Sequence, residues 1–118
     1  MDPASEAAEA IRVAVEAMAP SRKRAFRELL VLLRSEKRAS PYDGSVRDCW
    51  VVVEQGAKLI VYCRGGLTGR SESDAWGVLD ADDASLGHDD CWYRSLDDAF
   101  IASGLCDRSL VPSDHEFL

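Results

Sequence analysis

The chain has 118 residues, with 14 lysines and arginines against 21 aspartates and glutamates, a formal charge of −7 and a hydrophobic share of 47%. This length suits one domain spanning 1–118, and the apolar share argues against wholesale disorder. No stretch approaches the roughly 18–20 apolar residues that cross a bilayer. The acid-rich start, Met1–Glu9, does not read as a secretory leader, and the net negative charge disfavours nucleic acid as a partner.

In chain order, residues 3–19 read as a first helix. Asp2 is its cap, Pro3 stands at the first helical position, and Ala7, Ile11, Ala14, Val15 and Met18 form one apolar stripe. Pro20 ends it, and Ser21 offers a cap for a second helix over about 22–37. Phe26, Leu29, Leu30 and Leu33 would face the core. The opposite face would carry seven cations (Arg22, Lys23, Arg24, Arg27, Arg34, Lys37 and Arg38) against Glu28 and Glu36. That face is read as solvated. The two helices make an αα-hairpin, followed by a turn at Pro41-Tyr42-Asp43-Gly44.

The period then changes. Cys49–Val53 and Leu59–Cys63 are β-rich apolar runs joined through Gly56, a hairpin whose near-continuous hydrophobicity implies cover on both faces. Ala75–Leu79 reads as a third strand and Cys91–Tyr93 as a short fourth. Ser95 followed by Asp97 and Asp98 marks a helix start, and Gly104 supplies its stop. The tail, 107–118, has little periodicity and is expected to be loosely held. The expected class is α+β: an N-terminal αα-hairpin, a mainly antiparallel sheet of three to four strands, and a C-terminal helix.

Four cysteines, Cys49, Cys63, Cys91 and Cys106, are expected to be reduced, in keeping with a cytoplasmic location. His88, Cys91, Cys106 and His115 match no zinc spacing, so neither metal nor cofactor is expected. The stretch Leu59-Ile60-Val61-Tyr62-Cys63-Arg64-Gly65-Gly66-Leu67-Thr68-Gly69-Arg70-Ser71 resembles the active-site loop of rhodaneses and cysteine-dependent phosphatases. That resemblance implies Cys63 as nucleophile and Arg70 as anion clamp. Six residues separate the two, one more than the phosphatase loop holds, and the same residues also read as a strand end with a Gly-rich loop. Val78-Leu79-Asp80-Ala81-Asp82 looks like the nucleophile motif of haloacid-dehalogenase-type phosphatases. Those enzymes need a downstream lysine, and none follows Lys58. An EF-hand reading of Asp80, Asp82 and Asp83 fails because Ser85 stands at the glycine position, so this stretch is read as a solvated acidic turn.

The charge map is the most unusual feature. From Glu72 to Asp98 there are nine acids against Arg94 alone. Glu72, Asp74, Asp80, Asp82, Asp83, Asp89 and Asp90, interleaved with Trp76, Trp92 and Tyr93, read as a partner-binding surface for a basic protein. An immunity or antitoxin-type inhibitor that occludes a basic toxin domain, plausibly a nuclease, fits this pattern better than an enzyme. The thiol-enzyme reading through Cys63 and Arg70 is second. A structural adaptor or subunit, pairing through the hairpin edge or the N-terminal helices, is third.

Overall fold

The computed structural model describes residues 2–68 and 74–110. Helix α1 spans Pro3–Glu16, with Asp2 Oδ1 accepting from the Ser5 amide at 2.9 Å. That hydrogen bond holds the exposed Asp2 carboxyl below its ordinary range. The apolar stripe faces inward: Ala7, Val15 and Met18 are buried, with Ile11 and Ala14 packed beside them. Helix α2, Pro20–Leu29, begins on Pro20 itself, with Ala19 at the N-cap and no side-chain cap, so Ser21 lies inside the first turn.

The largest departure from expectation is the end of α2. The helix stops at Leu29, and Leu30–Ala39 is a strand, β1. Leu, Lys, Arg and Glu favour a helix here, but such propensity is a weak force that tertiary pairing overrides. β1 lies antiparallel along β2, Val46–Gln55, and satisfies a backbone edge that would otherwise stand open beside the core. Its register slips between Leu30 and Arg34, where Val31, Leu32 and Leu33 oppose Val52 alone. Leu32, at this bulge, is 93% exposed. The expected single basic helix face therefore does not form. Its cations divide between α2 and β1, where Arg34 reaches Glu54 at 3.0 Å and Lys37 reaches Asp48 at 2.9 Å. Pro41–Gly44 turns the chain between β1 and β2, with Gly44 at φ +73°.

β3 is Lys58–Tyr62, β4 Trp76–Asp80 and β5 Trp92–Tyr93. The sheet is a five-stranded antiparallel meander in the order β1-β2-β3-β4-β5, with β1 the strand beyond the three to four expected. Helix α3, Leu96–Ala102, is capped by Ser95 Oγ, which accepts from the Asp98 amide at 3.0 Å, and Gly104 follows at φ +77°. The class is thus α+β, as the element pattern implies.

Both faces of the sheet are covered. On one, Val15 of α1, Met18 just after it, Phe26 of α2 and Leu96 and Phe100 of α3 pack against Val53, Ile60 and Trp76. Phe26 and Phe100 meet edge to face at 5.2 Å. On the other, Cys49, Val51, Leu59, Val61 and Leu79 lie beneath Leu67, Leu86 and Trp92, which come from loops and the edge strand β5. β2 supplies both clusters by the alternation of its side chains, and the bulge between Val51 and Val53 lets the consecutive Val52 and Val53 face the same one. Among the described residues no helix is long and apolar enough to cross a membrane.

The second face is closely packed at Gly77. A Cβ there would stand 3.0–3.1 Å from three atoms of the Trp92 ring, whose residue is its direct partner on β5. Gly77→Ala is expected to lower stability by about 1–3 kcal/mol through overpacking. Denaturant unfolding followed by tryptophan fluorescence measures this, and an unchanged midpoint contradicts the close-contact account.

Candidate functional site

After β4 the chain leaves Asp80, crosses the second face of the sheet to the outer edge of β1, and returns through a 3-10 turn at Asp89–Cys91 to β5. Residues 80–91 carry five aspartates and neither lysine nor arginine. Short polar turns shape this strap. Asp83 Oδ1 accepts from the Ser85 amide and Ser85 Oγ from the Gly87 amide, each at 2.9 Å. Gly87, at φ +72°, leaves room for Leu79 and Cys91, which a Cβ would meet at 3.1 and 3.0 Å. Leu86 is fully buried beneath it, and its carbonyl accepts from Trp92 Nε1 at 2.9 Å.

A buried arginine anchors the strap from below. Arg38, on β1, is 3% exposed, and its Nη1 donates to the carbonyls of Asp80 at 3.3 Å, Ser85 at 3.1 Å, and Asp83. Beside it, the Ala39 amide donates to the Ala84 carbonyl at 3.0 Å and the Leu86 amide to the Ala39 carbonyl at 2.8 Å. The guanidinium therefore holds backbone oxygens and leaves the aspartate side chains facing water. Among the described residues, no cation lies within ion-pair distance of Asp82, Asp83, Asp89 or Asp90, whereas Asp80 reaches Lys58 at 3.2 Å.

The residues that the sequence groups into one surface are only partly brought together. Asp80, Asp82, Asp83, Asp89 and Asp90 share the strap. Asp74 lies before β4, at the opposite end of that strand, 4.0 Å from Arg94. Glu72 falls outside the described residues. Trp76 and Trp92 are 6% and 8% exposed, and each sits in a core cluster, so neither presents an anchoring ring to a partner. Their indoles are needed inside: Trp76 packs at a tilt against Tyr62, ring centroids 4.9 Å apart, and Trp92 covers Gly77. Tyr93 is half-buried and donates to the Asp90 carbonyl at 3.2 Å. Asp97, one of the nine acids counted in the sequence, is held by Arg22 through two bonds of 2.7 Å and belongs to the interior of the α2–α3 contact.

Sequence reasoning misses Tyr42 and His88. Tyr42 is exposed, and its hydroxyl lies 3.4 Å from His88 Nδ1 on the strap. Asp43 beside it accepts from the Ser45 amide, which keeps its carboxyl below the usual carboxylate range. The turn residues Pro41-Tyr42-Asp43-Gly44 announce a bend but nothing about what it touches. The acidic surface therefore gains an aromatic from the β1–β2 turn in place of the two tryptophans.

The thiol constellation differs equally from expectation. Cys63 is 2% exposed, directly after β3, and Gly65 and Gly66 adopt φ of +86° and +63° in the turn that follows. Arg70 lies outside the described residues. Of the described residues beyond it, Asp74 and Ala75 lead into β4. The groups near Cys63 are Cys49, whose hydrogen bond lowers the Cys63 thiol pKa, and Arg47, which lowers it further. Arg47 Nη2 donates to the Thr68 carbonyl at 2.6 Å. No group of three or more metal-ligating side chains occurs among the described residues. Comparison with family models, with curated proteins and with solved structures returned no match.

Arg38→Ala would leave three carbonyls without their shared donor, and the loss is expected to be about 2–4 kcal/mol. Arg38→Lys should fall between, since all three bonds come from the one nitrogen Nη1 and a shorter side chain must carry its ammonium to the same point. Urea midpoints of the three proteins measure the series. Equal midpoints for Arg38→Ala and the parent would remove the anchoring role.

Proposed function

We propose that this chain is an acidic protein-binding module of the immunity or antitoxin type, acting in the cytoplasm to occlude the active site of a basic toxin domain. The observation that carries this reading is the strap: five carboxylates on residues 80–91, held to Arg38 through the carbonyls of Asp80, Asp83 and Ser85, with Asp80 alone of the five in an ion pair among the described residues. Closely spaced acids repel one another, and a basic partner converts that repulsion into attraction and steered association. Restraining the backbone before the encounter reduces the ordering cost on binding. Against a nuclease, the carboxylates would occupy the positions that the toxin's cations keep for phosphate oxygens. Tyr42 and Tyr93 supply aromatic area at the margin of this surface, the role the sequence assigns to Trp76, Trp92 and Tyr93.

The proposal expects a basic toxin domain to be encoded beside the chain's own reading frame, and the test uses that domain. Its association rate is expected to fall on the order of tenfold or more as salt rises from low to physiological strength. The combined variant Asp82→Lys, Asp83→Lys, Asp89→Lys and Asp90→Lys should retain the parental circular dichroism and lose protection of cells from the toxin. Full protection by that folded variant, with a salt-independent rate, would sink the proposal.

A further inference from the structure

Cys49 and Cys63 stand on neighbouring strands of the second face, both in the same buried cluster. The β2–β3 register pairs Trp50 with Tyr62, and one step further it sets Cys49 directly opposite Cys63. The Cys63 amide donates to the Ala75 carbonyl on the β4 side at 2.9 Å. Backbone groups of a given strand residue point to one side, so towards β2 this is a non-hydrogen-bonded pair. Such pairs hold their Cα atoms about 4.5 Å apart with side chains on one face, within the roughly 4.4–6.8 Å range that a disulfide bridges. All four cysteines are free thiols in this structure.

We infer that Cys49 and Cys63 form a cross-strand dithiol that closes reversibly to a disulfide when a small peroxide reaches it. Cys63 is the attacking sulfur. The hydrogen bond from Cys49 and the charge of Arg47 favour its thiolate, while the Cys49 thiol is pushed up by the same hydrogen bond and by burial. Cys63 also borders a cavity of about 230 Å3 that Pro3, Glu6, Arg47, Trp50 and Tyr62 line. The thiolate attacks one peroxide oxygen, the O–O bond breaks, and Cys63 becomes a sulfenic acid. With hydrogen peroxide the departing hydroxide takes up the proton Cys63 has shed, giving the first water. The Cys49 sulfur then attacks the Cys63 sulfur, and its proton leaves with the sulfenic hydroxyl as the second. Two thiols lose two electrons, and the peroxide gains them.

Trypsin cuts after Arg47, Lys58 and Arg64, so the two cysteines fall on separate peptides, 48–58 and 59–64. After treatment of the full chain with hydrogen peroxide, free thiols titrated in denaturant should halve from four to two. The non-reduced digest should contain those two peptides joined, and dithiothreitol should separate them. Cys63→Ser should show no such cross-link. Where the folded chain resists the oxidant, refolding under peroxide gives the same readout without an access barrier. Four thiols persisting in both preparations overturn the inference. So does a bridge through Cys91 or Cys106, a link between chains, or over-oxidation of Cys63 without a link.

Discussion

β2 and β3 bury side chains on both faces, and that requirement organises the whole molecule. A sheet wetted on one side needs a single cover, whereas strands such as Cys49–Val53 and Leu59–Val61 need two. Helices provide the first, because an amphipathic stripe satisfies its own backbone while presenting apolar groups. The second cover comes from the 63–68 turn, the strap and β5, whose backbones are not self-satisfying. Arg38 makes that possible: a buried multiple donor placed under carbonyls that would otherwise be desolvated and unpaired.

This division of labour explains why the acids collect where they do. A covering loop must put its few apolar residues downwards, here Leu86 with Cys91 packed beside the cluster, and its polar residues outwards. Placing aspartate at four of the outward positions without an adjacent cation goes beyond what a turn requires, since Asp83 alone serves the local amide geometry. The residual negative field is what the proposed function draws on. The same economy removes the tryptophans from the surface, because the second face has too few large residues to be closed without Trp92.

Much of the architecture is legible in the residues. Asp2 and Ser95 declare helix starts, Gly56 and Gly104 declare turns, and the continuous hydrophobicity of Val51–Val53 announces a two-sided sheet. Leu30–Ala39 is illegible for a physical reason. Its composition favours a helix, and what makes it a strand is the unpaired edge of β2, which lies at a distance in sequence. At the candidate site, the acidic density of 80–90 can be counted directly. The meeting of Tyr42 with His88, the position of Arg38 under the strap and the opposition of Cys49 and Cys63 depend on registers that local patterns do not encode.

The slip in β1 bears on how the molecule behaves in a crowd. A ten-residue strand at the border of a sheet is a template for fibril-like growth, because its outward amides and carbonyls invite another chain. Here the ladder is interrupted across Val31–Leu33, and charged Arg34 and Lys37 follow on the far side of the break. An incoming strand would lose alignment after a few residues and meet charged side chains beyond, already engaged with Glu54 and Asp48. The irregularity that accommodates Leu32 in water thereby acts as a guard against aggregation.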